Sequence, residues 1–300
     1  MVDCVSFSVI PALTALWAPL VLAALPGDAS RVLVGDCTGG LPQLPGTDGR
    51  FRTIRLANDP HGVKLDGFLR SHCRAEHVIV CDDDVFWLDG SPAIWSLDHL
   101  EHNPATAVVS LCPRDSLPAA TARRLGVEEG LRPMGSFCLV LRREVWLREG
   151  LSFREVPAGT NPHGFVFDTA DFAHLELLRR GYGVAIAPEP VRERLAVFER
   201  TSSWLLRIER TGGEVGAWVS GRTSRQEKAL RAAVLARCVA RAAWERFPDL
   251  DLAEPVAPAA IDRAQAVCGS LLGPERSRSI EDEVQATFSR VAARLTELEG

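Results

Sequence analysis

His77-Val78-Ile79-Val80-Cys81-Asp82-Asp83-Asp84-Val85-Phe86-Trp87 decides how this chain is read. His77 to Cys81 is a short, β-branched apolar run of the kind a buried strand carries, and three consecutive carboxylates follow it directly. In open α/β sheets ligands collect outside the carboxyl ends of such strands, so the acid stands where a ligand is expected. Three like charges at one spot need a positive neighbour, and hard oxygen donors at this density suit Mg²⁺ or Mn²⁺. Alternation along the strand end turns Asp82 and Asp84 to one side and Asp83 to the other. Two facing carboxylates make an incomplete metal cage, which leaves coordination positions for phosphate oxygens. The same run also reads as a solvated acidic turn after a strand. Spacing removes two other chemistries. A DDxxD prenyl-diphosphate site needs a helix and a further acid at position 86, a phosphatase with a nucleophilic first aspartate needs Thr or Val there, and Phe86 suits neither.

Around this strand the pattern alternates. Cys4 to Ile10 reads as a strand, Pro11 to Leu25 as a helix, Arg31 to Gly35 as a second strand and Phe51 to Leu56 as a third, with a helix from Val63 to Cys73 leading into the acidic strand. Strand, helix, strand in succession is the signature of a parallel sheet with crossovers. Downstream, Ala107 to Leu111, Ser136 to Leu141 and Gly183 to Ala187 read as strands, and Glu144 to Arg148 and Ala170 to Arg180 as helices. Beyond residue 222 the periodicity is helical over Ser224 to Phe247, Pro258 to Leu272 and Ile280 to Leu298. The expectation is an α/β domain over residues 1–222 with a helical extension over 223–300, whose apolar stripes suit packing on the core or a homo-oligomer contact.

Composition narrows the class. A hydrophobic content of 46% over 300 residues can bury a large core, and a formal charge of −5 argues against a nucleic-acid binder. Of 34 basic residues only Lys64 and Lys228 are lysines, so a lysine is informative here. The 8 cysteines show no C-x-x-C spacing and fall in apolar runs, which predicts reduced, buried thiols of a cytoplasmic protein. The apolar run Ala12 to Leu25 contains Pro19, lacks a preceding Lys or Arg and is shorter than the roughly 20 residues a membrane span needs. It predicts a buried first helix and no stable membrane insertion.

Several short motifs, in order over about residues 4 to 190, resemble the metal-dependent nucleotide-sugar glycosyltransferases of the GT-A fold, particularly the family-2-like branch. Ile10-Pro11-Ala12 matches the Pro-containing loop after the first strand, Asp36 the acidic end of the second strand, and Gly62-Val63-Lys64 the Gly-x-Lys/Arg step before the metal motif. Asp82-Asp83-Asp84 falls on the Asp-x-Asp motif. Each piece also has a plainer reading: Asp36 as a turn cap, Lys64 as a surface lysine. At a helix start, however, Lys64 adds a compact positive charge to a site the helix N-terminus already makes favourable for a diphosphate.

The resemblance implies a GT-A-type, Rossmann-like mixed sheet and the transfer of a hexose-type sugar from a nucleoside-diphosphate sugar to an acceptor hydroxyl. It implies Mn²⁺ or Mg²⁺ on Asp82 and Asp84, with Pro11, Asp36, Lys64 and Asp83 on the donor. The acceptor must lose a proton, and the family places a carboxylate base near a helix start after the acceptor loop. Here that segment holds Asp168 and Asp171, with Asp171 favoured by its distance to Gly181 although Ala170 replaces the usual acid before it. A base so placed implies direct displacement with inversion. Met134-Gly135-Ser136-Phe137 matches the acceptor-side wall, with Gly135 and Ser136 the residues of interest. No histidine follows His174, so the late histidine ligand of many relatives is absent, and His163 and His174 read as substrate-loop or surface residues. The competing expectations are a nucleotidyltransferase on a related architecture, which would want a Gly-rich basic loop where Pro11-Ala12-Leu13-Thr14 stands, and a sugar-nucleotide-binding protein without turnover.

Overall fold

The computed structural model describes residues 1–44, 47–198, 200–252 and 256–299. The first apolar run forms β1 (Val2–Ser8) and the second forms α1 (Pro11–Ala24). β1 stops short of the predicted Ile10 because Ile10 caps α1 and Pro11 takes its first position, where a missing N–H costs nothing. β2 (Arg31–Asp36), β3 (Phe51–Arg55), α2 (His61–Ser71) and β4 (His77–Cys81) follow. Then come β5 (Val85–Trp87), α3 (Ser91–His102), β6 (Thr106–Ser110), α4 (Ala119–Leu125), β7 (Cys138–Arg142), α5 (Arg143–Arg148), α6 (Asp171–Arg179) and β8 (Gly183–Ile186). The remainder is α7 (Glu189–Arg192), β9 (Leu195–Val197), α8 (Thr201–Arg210), α9 (Gly216–Val219), α10 (Thr223–Arg246), α11 (Pro258–Leu272) and α12 (Pro274–Glu297).

The main sheet has the order β3-β2-β1-β4-β7-β6-β8. β1 to β4 are mutually parallel, β7 runs antiparallel to both β4 and β6, and β8 is parallel to β6. It is the mixed, helix-flanked α/β sheet that the motifs imply. The chain winds outward from β1 through β2 to β3, then returns to place β4 on the other side of β1. The carboxyl ends of β1 and β4 therefore flank the point where strand order reverses, which is where open α/β sheets leave a crevice. β7 pairs Cys138 with Cys81, so its antiparallel course delivers the preceding loop to that same end.

Side chains alternate between two apolar layers. Cys4, Ile79 and Cys81 join the layer containing α1, whereas Val5, Phe7, Val78 and Val80 join that of α2, α5 and α6. The first layer runs without a break from the sheet through α1 into α10, α11 and α12. α1 is buried on nearly all sides because it lies between the sheet and these helices, which accounts for a helix apolar all round. Among the described residues no helix is long and apolar enough to cross a membrane. All 8 cysteines are free thiols, and Cys4, Cys73, Cys81, Cys138 and Cys268 are buried.

Candidate functional site

A cavity of about 540 Å³ opens at the reversal point, lined by Phe7 and Val9 from the end of β1 and by Asp82, Asp83 and Asp84 from the end of β4. The strand alternation carries through the first two acids. Asp82 lies on the α2 side, with Oδ1 3.6 Å from His61 Nε2. Asp83 lies on the α1 side, where Thr14 Oγ1 donates to its Oδ2 at 2.8 Å and Ser8 Oγ lies 2.7 Å from the same hydroxyl. A turn at Asp83 and Asp84 then redirects the chain, and Thr201 N–H, at the start of α8, donates to Asp84 Oδ2 at 2.8 Å. The three carboxylates thus meet three different partners: His61 beside Asp82, Thr14 on Asp83 and Thr201 on Asp84.

These acids sit uneasily together. Burial, then repulsion from Asp84, Cys81 and Asp83, pushes Asp82 well above the carboxylate range, and Lys64 only partly offsets this. Burial and Asp84 likewise push Asp83 up to about 8, against the Thr14 hydrogen bond. Among the described residues no three His, Cys, Asp or Glu side chains converge as a complete metal cage. The donor set still fits a hard cation held in part by protein: carboxylates at a cavity wall, of which Asp82 and Asp83 are destabilised as anions.

α2 supplies the nearest cation. Gly62 lets the helix start press against the 153–154 backbone, since a Cβ there would lie 2.4 Å from Phe153 O. Lys64 is almost buried, its Nζ 3.0 Å from Asn58 Oδ1, 3.3 Å from Cys37 Sγ and 4.9 Å from the centre of the Phe7 ring. His61, one helical turn earlier, lines the same cavity. Burial first, then the Lys64 charge, lowers its pKa to about 4, so the ring is neutral at physiological pH. α2 starts two residues before the helix that the sequence pattern predicts, so His61 belongs to the helix and not to the preceding turn. The i, i+3 spacing to Lys64 is the signal that would have found it.

The opposite wall carries Asp168 and Arg114. Arg114 donates to Asp168 Oδ2 at 2.8 Å and to Asp171 Oδ2 at 3.0 Å, and Arg200 donates to Asp168 Oδ2 at 3.0 Å. Burial raises the Asp168 pKa, but the Thr169 N–H and the two arginines outweigh it and hold the group below its ordinary value. Asp171, more deeply placed, is pushed up to about 6 by burial despite Arg114. Asp168 lines the cavity and Asp171 does not. Exposed Glu155 also lines it. No spacing or periodicity singles out Arg114, Glu155 or Arg200.

Ser136 lines the cavity through the loop that β7 delivers, and Asp82 N–H donates to Phe137 O at 2.8 Å. Gly135 shapes that wall without facing the cavity. Its φ is +65° and a Cβ would lie 2.4 Å from Cys112 O, so a side chain is excluded twice. His174, expected near the surface or in a substrate loop, is instead 3% exposed and accepts from Met134 N–H through Nδ1 at 3.1 Å. Burial lowers its pKa to about 4, and the neutral ring props the Met134-Gly135-Ser136 wall from behind.

Pro11 and Asp36 lie outside the lining. Asp36 Oδ1 accepts from Thr38 N–H, Thr38 Oγ1–H and Gly39 N–H, and Oδ2 from Leu41 N–H, so its carboxylate closes the loop after β2.

No protein-family profile and no curated protein matches the sequence. Solved structures match in outline. A galactosyltransferase, LgtC, in complex with donor and acceptor sugar analogues aligns at 17% identity and TM-score 0.41, covering 62% of this chain and 73% of that one. The mannosyltransferase PcManGT from Pyrobaculum calidifontis in complex with GDP-Man and Mn²⁺ aligns at 14% identity and TM-score 0.44, covering 99% and 85%. A 4-diphosphocytidyl-2C-methyl-D-erythritol synthase from Anaerococcus prevotii aligns at 9% identity and TM-score 0.40, covering 62% and 86%. At such identities and scores these likenesses assign no activity to this chain.

Proposed function

We propose that this chain is a metal-dependent glycosyltransferase that moves a sugar from a nucleoside-diphosphate sugar to an acceptor hydroxyl, inverting the anomeric centre. One observation carries the reading: the cavity at the strand-order reversal is lined by three consecutive carboxylates, of which Asp82 and Asp83 are destabilised as anions, beside a buried lysine at a helix start. Asp82 and Asp84 would hold Mn²⁺ or Mg²⁺, which supplies charge neutralisation for a departing diphosphate. Lys64 and the unpaired N–H groups at the start of α2 bind the diphosphate oxygens. Thr14 holds Asp83 in place behind them. Asp36 and Pro11 act on the donor indirectly, by closing the loop after β2 and by starting α1.

Asp168 is the proposed base, because a base must first be within reach of the hydroxyl it deprotonates and only Asp168 of the two candidates faces the cavity. Arg114 links it to Asp171 and fixes both carboxylates, and the Gly135–Ser136 wall bounds the acceptor side.

A thermal-shift screen of UDP-, GDP- and dTDP-sugars with and without Mn²⁺ tests this, since a ligand that binds only the folded state raises apparent stability. One sugar nucleotide should stabilise the protein only when the metal is present, and slow donor hydrolysis should accompany it. No metal-dependent shift with any of them would contradict the reading. A shift without turnover would leave a sugar-nucleotide-binding protein.

A further inference from the structure

The wall of the cavity that comes from α8, α9 and the start of α10 has a chemistry of its own. It presents Trp204, Arg207, Trp218 and Arg225 to the same space as the aspartates. The Arg207 guanidinium carbon lies 3.5 Å from the centre of the Trp218 ring and that of Arg225 lies 6.0 Å from it. Trp204 packs against Trp218 with ring centres 4.6 Å apart. Arg225 also donates to the Trp218 carbonyl at 3.4 Å. Two other arginines on the cavity are committed: Arg114 to Asp168 and Asp171, Arg200 to Asp168. Arg207 and Arg225 have no carboxylate partner among the described residues. Two guanidinium groups are thus gathered around one indole with no carboxylate paired to either among the described residues, and an anion shared between them would relieve their mutual repulsion. Stacking on an aromatic face fixes a guanidinium by its plane and leaves its in-plane N–H donors free for an oxyanion.

We propose that this wall is the acceptor subsite and that it recognises a phosphate ester, so that the acceptor is a hydroxyl compound carrying a phosphate group. This rests on the glycosyltransferase reading, with the donor diphosphate served by the opposite wall. Arg207 and Arg225 grip the phosphate, and the indole edges of Trp204 and Trp218 cover the adjoining carbon skeleton. A soluble sugar phosphate and a lipid phosphate headgroup offer the same group.

The test uses glycerol 3-phosphate as the probe, with glycerol as its neutral control, on the full chain with and without Mn²⁺ and the best nucleoside diphosphate. Wild type should bind glycerol 3-phosphate saturably and glycerol not at all. The Arg207→Gln, Arg225→Gln double variant should lose affinity for the probe by about tenfold or more while Mn²⁺-dependent nucleotide binding is kept. The single variants guard against a folding defect in the double one and should each lose part of the affinity. Asp82→Asn should do the reverse, losing the nucleotide and keeping the probe, so failure of the donor reading and failure of this inference are distinguishable. A parallel arm measures sedimentation with phosphatidic acid vesicles against phosphatidylcholine vesicles: arginine-dependent binding there assigns the phosphate to a lipid, and binding of the soluble probe alone assigns it to a free ester. The proposal is overturned if neither phosphate source binds better than its neutral control, or if the arginine variants lose nucleotide and keep the probe.

Discussion

The two ends of the central strands each bury acid, and they treat it oppositely. At the amino end, Asp3 on β1 is fully enclosed and completely satisfied: Arg31 donates to both oxygens at 2.8 Å, and Arg74 and Ala75 N–H groups donate to Oδ2 at 2.6 and 2.9 Å. Burial raises its pKa, but these four donors outweigh burial and hold it below the ordinary value. At the carboxyl end, Asp82 and Asp83 are pushed up by burial and by the neighbouring Asp84. A buried carboxylate with its own counter-ion and backbone donors is structure. Carboxylates that burial and repulsion destabilise, at the crevice of an α/β sheet, are a place prepared for something positive.

The sharpest division between the ends is catalytic. Asp168→Asn should fold, bind donor and lose about 10²- to 10⁴-fold in turnover, as expected for a general base. Asp171→Asn, outside the cavity lining, should keep most of it. The sequence alone favours Asp171, and a dead Asp171→Asn beside an active Asp168→Asn would return the role there. Loss in neither variant would remove the carboxylate-base mechanism and favour a retaining reaction.

At the structural end, Asp3→Ala should destabilise the protein by about 3 to 5 kcal/mol, because it leaves the Arg31 charge and two backbone N–H groups without their acceptor. Nucleotide binding per folded molecule should be unchanged. The Asp3 pKa is depressed in the folded state, so its contribution is present above the unfolded value of about 3.9 and is lost as pH falls through the folded value. Denaturant titrations of wild type and variant should therefore converge in acid.

Asp83 carries the opposite sign. Its folded pKa of about 8 lies above the unfolded value, so the folded state holds a proton that the unfolded state has released between about pH 4 and pH 8. In metal-free buffer, stability should fall over that window by up to about 1.4 kcal/mol per pH unit from this group. Asp83→Asn, which keeps an acceptor for Thr14 and no charge, should flatten the slope. An unchanged slope in the variant would show that Asp83 is ionised and stabilised at neutral pH.

Much of the frame was legible because it is local. β4 spans His77–Cys81 in sequence pattern and structure alike, and Pro11 marks the start of α1 because a proline suits that one helical position. What was not legible is made by distant partners. α8 begins after Arg200, a non-glycine residue at φ +59°, and its first N–H is accepted by Asp84 from across the chain, so no capping residue announces it. β5 and β9 are three residues each and exist through their mutual pairing, too short for alternation to speak. The Arg114 bridge to Asp168 and Asp171 joins segments more than fifty positions apart, and nothing in either segment points to the other. The acids themselves were readable, whereas the partners they take depend on a turn and on α8.

Asp82 offers the cleanest measurement, because Asp84 also caps α8 and Asp83 also holds Thr14, whereas the Asp82 side chain lines the cavity beside His61. Thermal unfolding of wild type and Asp82→Asn should be followed against nucleoside diphosphate at fixed Mn²⁺ and in its absence. The account predicts a saturable, Mn²⁺-dependent stabilisation of wild type, about 2.7 kcal/mol at a hundredfold excess over Kd, and none in an Asp82→Asn protein that melts cooperatively by itself. A full metal-dependent shift in Asp82→Asn, or a wild-type shift indifferent to metal, would contradict it.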